Sequence, residues 1–373
     1  MRILFLTPYP HGKAPSQRFR FEHFFDRLRA AGIDIHVQSF IDEETWSILY
    51  RSGHHLAKVV GVLRGFLRRC AMLARARRYD AVFVHREASP LGPPVFEFLL
   101  ARVLRVPLIF DFDDAIWLPN TSSGNRWIAG LKWHGKTASI CRWAHRISAG
   151  NDHLAEYARR FNQRVTVVPT VVDTEARHDR LQDQDVERPA IGWTGSHSTM
   201  PYLDELVAVL RRLRQRFDFE TIVISDKPPA FELEGLRFIP WNKDTEIDDL
   251  LRFHIGVMPL RDDVWARGKC GFKAIQYMAL GIVPVVSPVG VNSVLVADGT
   301  TGMLADDEWA WEAALADLLT DHARRATMGR AARTRIVEAY SVTATWPVFA
   351  SLFDDVSVRS QAGRDRRSMT RGR

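Results

Sequence analysis

The chain has 373 residues, which at roughly 100–200 residues per domain leaves room for two domains with cores of their own. Its 46% apolar and 25% charged content lies near the globular average, which sets aside collagen, wholesale disorder and a multi-span membrane protein. The net charge of +7 is concentrated: Arg51 to Arg78 holds eight Lys/Arg and no acid, and Val356 to Arg373 holds six Arg against one Asp. The body of the chain is therefore mildly acidic, and its basic character belongs to one helix and one tail rather than to a nucleic-acid-binding surface.

The first apolar run, Ile3–Leu6, stops at Thr7-Pro8 and is too brief for a secretory signal, so a cytoplasmic protein is expected. Cys70, Cys141 and Cys270 are odd in number and lack a C-x-x-C pair, which predicts reduced thiols rather than a disulfide framework or a structural zinc site. Short apolar runs then alternate with longer amphipathic stretches, the pattern of parallel β/α units. Strands are predicted at Arg2–Leu6, Asp34–Ser39, Ala81–His85, Leu108–Phe112, Arg146–Ala149 and Val165–Pro169. Between the second and third lies the basic helix, with Leu56, Val59, Val60, Leu63, Leu67, Cys70 and Ala74 at helical spacing against Lys58, Arg64, Arg68, Arg69 and Arg75. Two readings stand: the apolar stripe packs on the sheet under a solvated charged face, or the helix docks on an anionic membrane surface.

The polar, aperiodic segment His178–Asp185, followed by Glu187-Arg188-Pro189, reads as an interdomain linker. A second β/α series follows, with strands at Ala190–Trp193, Thr221–Ile224, Arg237–Ile239, Gly256–Met258 and Val283–Val286, and helices after Asp307, Asp321 and Thr343. The expected fold is α/β: two Rossmann-like domains, 1–180 and 188–340, facing a cleft. A helix at 343–356 and a disordered basic tail at 357–373 complete it.

Ligands in open α/β sheets sit at the carboxyl ends of the strands. His85-Arg86-Glu87 and Asp111-Phe112-Asp113-Asp114 end two strands, so Arg86, Glu87, Asp111 and Asp114 are acceptor-side candidates, with helix capping as the other reading of the aspartates. His85 contacts donor or acceptor, or is a satisfied strand-end histidine. Ser16 is a candidate N-cap in the first β/α loop, and Arg18 is either a phosphate or acceptor contact or half of a surface salt bridge. Trp117 and Trp193 follow strands and could lie under a sugar ring. No G-x-G-x-x-G follows the first strand, and Gly268-Lys269-Cys270 lacks the remainder of a P-loop, which removes the common dinucleotide and NTP motifs. Gly271 opens a helix with Lys269 and Lys273 beside it, an anion site by helix polarity and charge.

That last segment carries a family resemblance. Gln276-Tyr277-Met278-Ala279-Leu280-Gly281, Pro284-Val285-Val286, Val289-Gly290-Val291-Asn292-Ser293 and Asp298-Gly299-Thr300-Thr301-Gly302 resemble the E-A-M-A-x-G, P-V-V, G-G-x-x-E-I-V and D-G-x-x-G pattern of GT-B glycosyltransferases, most closely family 4. Val165–Thr174 and Arg325–Arg333 are similar to that family's linker and to its last helix before the chain crosses back to the first domain.

The resemblance implies transfer of a hexose from a nucleotide diphosphate sugar to a glycan or lipid-linked acceptor, with retention, no metal and no cofactor beyond the co-substrate. It implies donor contacts at Gly195, Ser196, Lys269, Gly271, Phe272, Lys273, Gln276, Val291 and Asn292, and catalytic work at Asp113, where relatives usually have His, and at His85. The paired aspartates also fit a magnesium site. The departures are specific: the family's two glutamates are replaced by Gly268 and Gln276, and its Gly-Arg…Lys turn by Gly195-Ser196 and Pro201. They leave a catalytically silent nucleotide-sugar-binding or scaffold protein as the alternative. Peripheral attachment to the inner membrane face is the expected location if the basic helix docks.

Overall fold

The computed structural model describes residues 1–49, 51, 53–119 and 133–356; the tail from Ser357, predicted disordered, lies outside these. The chain forms two compact units, Met1–Pro169 with the chain from Trp346, and Thr170–Thr345.

In the first unit β1 (Arg2–Thr7), β2 (Asp34–Ser39), β3 (Ala81–His85), β4 (Leu108–Phe112), β5 (Arg146–Ala149) and β6 (Val165–Val167) form one parallel sheet in the order β2-β1-β3-β4-β5-β6. β3 and β4 are central and buried at all five positions, which explains why their sequences AVFVH and LIFDF are nearly continuous apolar runs instead of alternating ones. Phe5 of β1 packs on Phe83 of β3 with ring centroids 4.8 Å apart, and Phe349 stacks on Phe24 at 4.2 Å. Strand order reverses between β1 and β3, and their carboxyl ends bound the site described below.

The second unit repeats the plan. β7 (Ala190–Gly195), β8 (Glu220–Ser225), β9 (Leu236–Pro240), β10 (Ile255–Met258), β11 (Val283–Val286) and β12 (Met303–Leu304) lie in the order β12-β11-β10-β7-β8-β9, all parallel. The reversal falls between β7 and β10. Asp307 and Asp321 cap the helices Glu308–Thr320 and His322–Ala339 by accepting from Ala310 N and Arg324 N. Phe272–Ala279 ends as its sequence implies: Gly281 takes φ +69°, its N–H bonds Met278 O, and Ile282 N bonds Tyr277 O, the paired closure of a left-handed C-terminus.

Four sequence expectations change. The last helix starts at Val342, ahead of Thr343, and β12 is too short to leave a periodic trace. The segment read as a linker is strapped onto the second unit: the buried Gln184 amide donates to the carbonyls of His254 and Gly281, and buried Arg325 donates to Gln184 O. Its polar residues satisfy backbone groups, which composition does not distinguish from solvation. The fourth change concerns the basic helix, His55–Leu73, whose apolar stripe does not pack on the sheet. Its buried residues are Gly61, Gly65, Arg69 and Met72, because the two glycines admit Thr45 and Phe40 where a Cβ would lie 2.1 and 2.7 Å from their nearest atoms. The stripe faces outward instead.

Candidate functional site

At the carboxyl edge of the first sheet, Asp111 is buried and ligated on both oxygens. Oδ1 accepts from the Arg20 guanidinium at 2.5 Å and from Ser148 Oγ at 2.7 Å, and Oδ2 lies 2.7 Å from His85 Nδ1. Arg20 also donates to Ser148 Oγ and to the Val168 carbonyl. Burial pushes the Asp111 carboxyl up, but the Arg20 charge and the His85 contact outweigh it and hold the acid well below the usual carboxylate range. Asp111 is thus an ionised strut.

His85 is fully buried, packs on Phe21 and has its Nε2 3.9 Å from Asp113 without a hydrogen bond. The groups that reach the surface come next in the chain. Arg86 sits at φ +60°, a left-handed conformation costly for a side-chain-bearing residue, with its N–H on Asp111 O. Its guanidinium bonds Asp113 at 2.7 Å and Asp114 at 2.9 Å. Burial raises the Asp113 carboxyl, and Arg86 then His85 lower it further than burial raises it. Asp113 and Asp114 therefore bind a guanidinium.

The remaining first-unit candidates make other side-chain contacts. Glu87 pairs with Lys136 at 2.6 Å. Arg18 is buried with its guanidinium 4.8 Å above the Phe19 ring, so it is no surface salt bridge. Ser16 is not the N-cap: Pro15 supplies the first helical residue, Ala14 caps, and Ser16 lies inside the turn. Trp117 stacks face to face on Tyr157 at 3.8 Å, which occupies one of its faces. Among the described residues no group of three or more His, Cys, Asp and Glu is placed to hold a metal.

The second unit brings most of its predicted residues together. Gly271, at φ +67°, opens the helix; a Cβ there would lie 3.0 Å from Val291 and 3.4 Å from Asn292 Oδ1. The Lys273 Cε approaches Gly195 so closely that a Cβ on the glycine would be 2.8 Å away, and its ammonium lies 5.2 Å above the Trp193 ring. Trp193 is itself buried in the core, so it is not a sugar platform. Gln276 and Asn292 are almost fully buried, yet Gln276 Nε2 and Asn292 Oδ1 have no hydrogen-bond partner among the described residues, while Asn292 Nδ2 donates to Ser287 O. Buried polar atoms are usually hydrogen-bonded, so these two amides have bonding capacity left over. Phe272 follows Gly271 at the helix start, Lys269 reaches toward Trp265, and Ser196 bonds Ser198 on the surface.

Three residues escaped sequence reasoning. Arg20 and Ser148 complete the Asp111 cluster. His197, just after Ser196, holds Asp226 through its backbone N–H at 2.7 Å and Nδ1 at 2.6 Å, at the ends of β7 and β8.

Two parallel six-stranded units with these switch points define the fold of the GT-B glycosyltransferases, and residues 188–321, within the second unit, match the family described as Glycosyl transferases group 1. Among solved structures the chain is similar to sucrose-phosphate synthase from Thermosynechococcus elongatus (14% identity, TM-score 0.70, covering 96% of this chain and 100% of that one). It is also similar to Anabaena HepE in complex with UDP and glucose (13%, 0.61, 95% and 100%) and to WaaG, a glycosyltransferase involved in lipopolysaccharide biosynthesis (12%, 0.59, 93% and 98%). No curated protein sequence matches the chain.

Proposed function

We propose that the protein is a glycosyltransferase that moves a hexose from a nucleotide diphosphate sugar to a glycan or lipid-linked acceptor, with retention of configuration and without a metal. The observation that carries this reading is the assembly around Gly271 in the second unit. A helix N-terminus, Lys273 above the Gly195 turn, and two buried amides with unmet hydrogen bonds converge at the strand-order reversal. The group 1 match over 188–321 supports the same half as the donor side, and HepE's UDP and glucose make UDP-glucose the first donor to try.

The chemistry follows from what the residues can supply. As the bond from the anomeric carbon to the diphosphate oxygen breaks, negative charge develops on the leaving group; the helix N-terminus and Lys273 meet it. The acceptor oxygen then bonds the anomeric carbon from the same face, and its proton passes to the leaving phosphate oxygen. No protein nucleophile takes part, which suits Gly268 at the position of a family glutamate. In the first unit Arg86, Asp113 and Asp114 orient acceptor hydroxyls, with Asp111 and His85 holding them from behind.

The test uses the full chain with UDP-, GDP- and ADP-sugars. A donor that binds only the folded state raises the thermal midpoint, and transfer to an acceptor, unaffected by EDTA, follows. Binding without transfer or hydrolysis across a panel of acceptors would replace the enzyme with the silent sugar-nucleotide-binding protein.

A further inference from the structure

We propose that the outward face of helix His55–Leu73 is a docking surface for an anionic lipid bilayer. Its apolar stripe enters the bilayer, and the arginines at its two ends hold the headgroups. Leu56, Val59, Val60, Leu63 and Leu67 are 79, 55, 38, 56 and 68% exposed. Single exposed aliphatics are ordinary on a protein surface; five on one helix face are not. Roughly a quarter of a turn around the helix from this stripe, Phe66 leads into an apolar cavity of about 430 Å³ shared with Leu91, Pro93, Val95 and Phe96, so the apolar surface continues beyond the stripe.

The charges decide what covers this face. Arg64 pairs with Glu44, Arg68 with Asp42, and Arg69 is buried, donating to the carbonyls of Ala88, Gln38 and Thr7. These three are committed to the fold. Arg51 before the helix and Arg75, Arg77 and Arg78 after it are exposed and make no ion pair among the described residues, and no acid lies between Arg51 and Arg78. A second copy seated by twofold symmetry would set these arginines against the same basic surface. A bilayer with anionic headgroups offers an apolar interior for the stripe and negative charge for its ends.

Direction matters as well. The helix connects parallel strands β2 and β3 and runs back along the sheet; Arg69, near its C-terminal end, already reaches the carbonyls of Thr7 and Gln38 at the carboxyl edge, so its Leu56 end projects past the edge that carries Arg86, Asp113 and Asp114. Docking stands without the transferase reading; only its bearing on a lipid-linked acceptor rests on that reading.

The experiment is co-sedimentation of the full chain with vesicles of 70:30 phosphatidylcholine to phosphatidylglycerol and of phosphatidylcholine alone, at about 0.1 M salt, where surface charges more than a Debye length apart are screened. The parent should prefer the anionic vesicles. Leu63→Gln with Leu67→Gln should weaken that binding at least tenfold, and Arg75→Gln with Arg77→Gln and Arg78→Gln about a hundredfold. All five side chains are exposed, so the thermal midpoint should stay at the parent's value. Equal binding to both vesicle types, or variants that bind like the parent, would overturn the proposal. So would a concentration-dependent dimer that the leucine substitutions abolish in a chain that ignores vesicles.

Discussion

Around Asp111 in the first unit a buried carboxylate and a buried guanidinium answer each other inside the chain, whereas around Gln276 in the second unit equally buried amide atoms are left unmet. In the first arrangement Arg20, His85 and Ser148 saturate Asp111, with His85 Nε2 left unbonded 3.9 Å from Asp113, and the left-handed turn at Arg86 carries the next guanidinium out to Asp113 and Asp114. The second holds hydrogen-bonding capacity in reserve beside a helix N-terminus. On the proposed reading, polar burial around Asp111 maintains a scaffold, and around Gln276 it serves the donor.

Removing a polar group should therefore cost stability in one unit and ligand affinity in the other. The largest effect belongs to Asp111→Asn, which keeps the shape but leaves the Arg20 charge buried without its carboxylate. Urea unfolding should show a loss of about 3–5 kcal/mol. A loss under about 1 kcal/mol would mean that the cluster is not the strut described.

Acidification should separate the units next. Burial, with Arg325 nearby, pushes the His254 imidazole down to about 4; it accepts from Ala190 N and contacts Gln182. Because the unfolded chain takes up that proton near pH 6.5 and the folded chain does not, the stability His254 contributes is complete above that value and is lost as pH falls toward 4. Asp42 in the first unit behaves differently. Burial raises its carboxyl, but hydrogen bonds from Thr45 and the Arg68 charge hold it at about 2, so its contribution is complete above its ordinary value of 3.8 and is lost only as pH falls toward 2. Hydrogen exchange, corrected for the intrinsic effect of pH, should show β7 and β10 losing protection between pH 7 and 5 while β1 and β3 keep theirs. Earlier loss in the first unit would reverse the comparison.

The smallest stability effect is the one that sharpens the contrast. Gln276→Leu removes an amide whose nitrogen has no partner, so unfolding should change by less than about 1 kcal/mol in either direction, while the affinity for UDP falls several-fold. A destabilisation as large as that of Asp111→Asn would make Gln276 part of the scaffold.

The strands, the Asp307 and Asp321 caps and the Gly281 stop were legible because each is set by signals within a few residues of itself. So was the Gly271 neighbourhood, where short motifs carry the pattern. Arg20 was not: an arginine in a first loop reads as solvated, and its burial is decided by Asp111, 91 residues on, and Ser148, 128 residues on. Periodicity showed that the basic helix has an apolar face but not which face meets the sheet; the close approach at Gly61 and Gly65 settled that. Trp193, the residue before Thr194 and Gly195 at a strand end, looked available to a ligand, and only the packed sheet shows it in the core.

The central claim is that the donor's diphosphate is held in the second unit, at the start of helix Phe272–Ala279. Titrating the nucleoside diphosphate into the parent and into Lys273→Ala tests it most directly, because a charge-assisted contact of about 1.5–3 kcal/mol predicts an affinity lower by roughly tenfold to a hundredfold. Turnover should fall more than affinity if the contact tightens as the bond breaks. Affinity and turnover unchanged from the parent in both Lys273→Ala and Lys269→Ala would contradict the claim and place the phosphates elsewhere on the molecule.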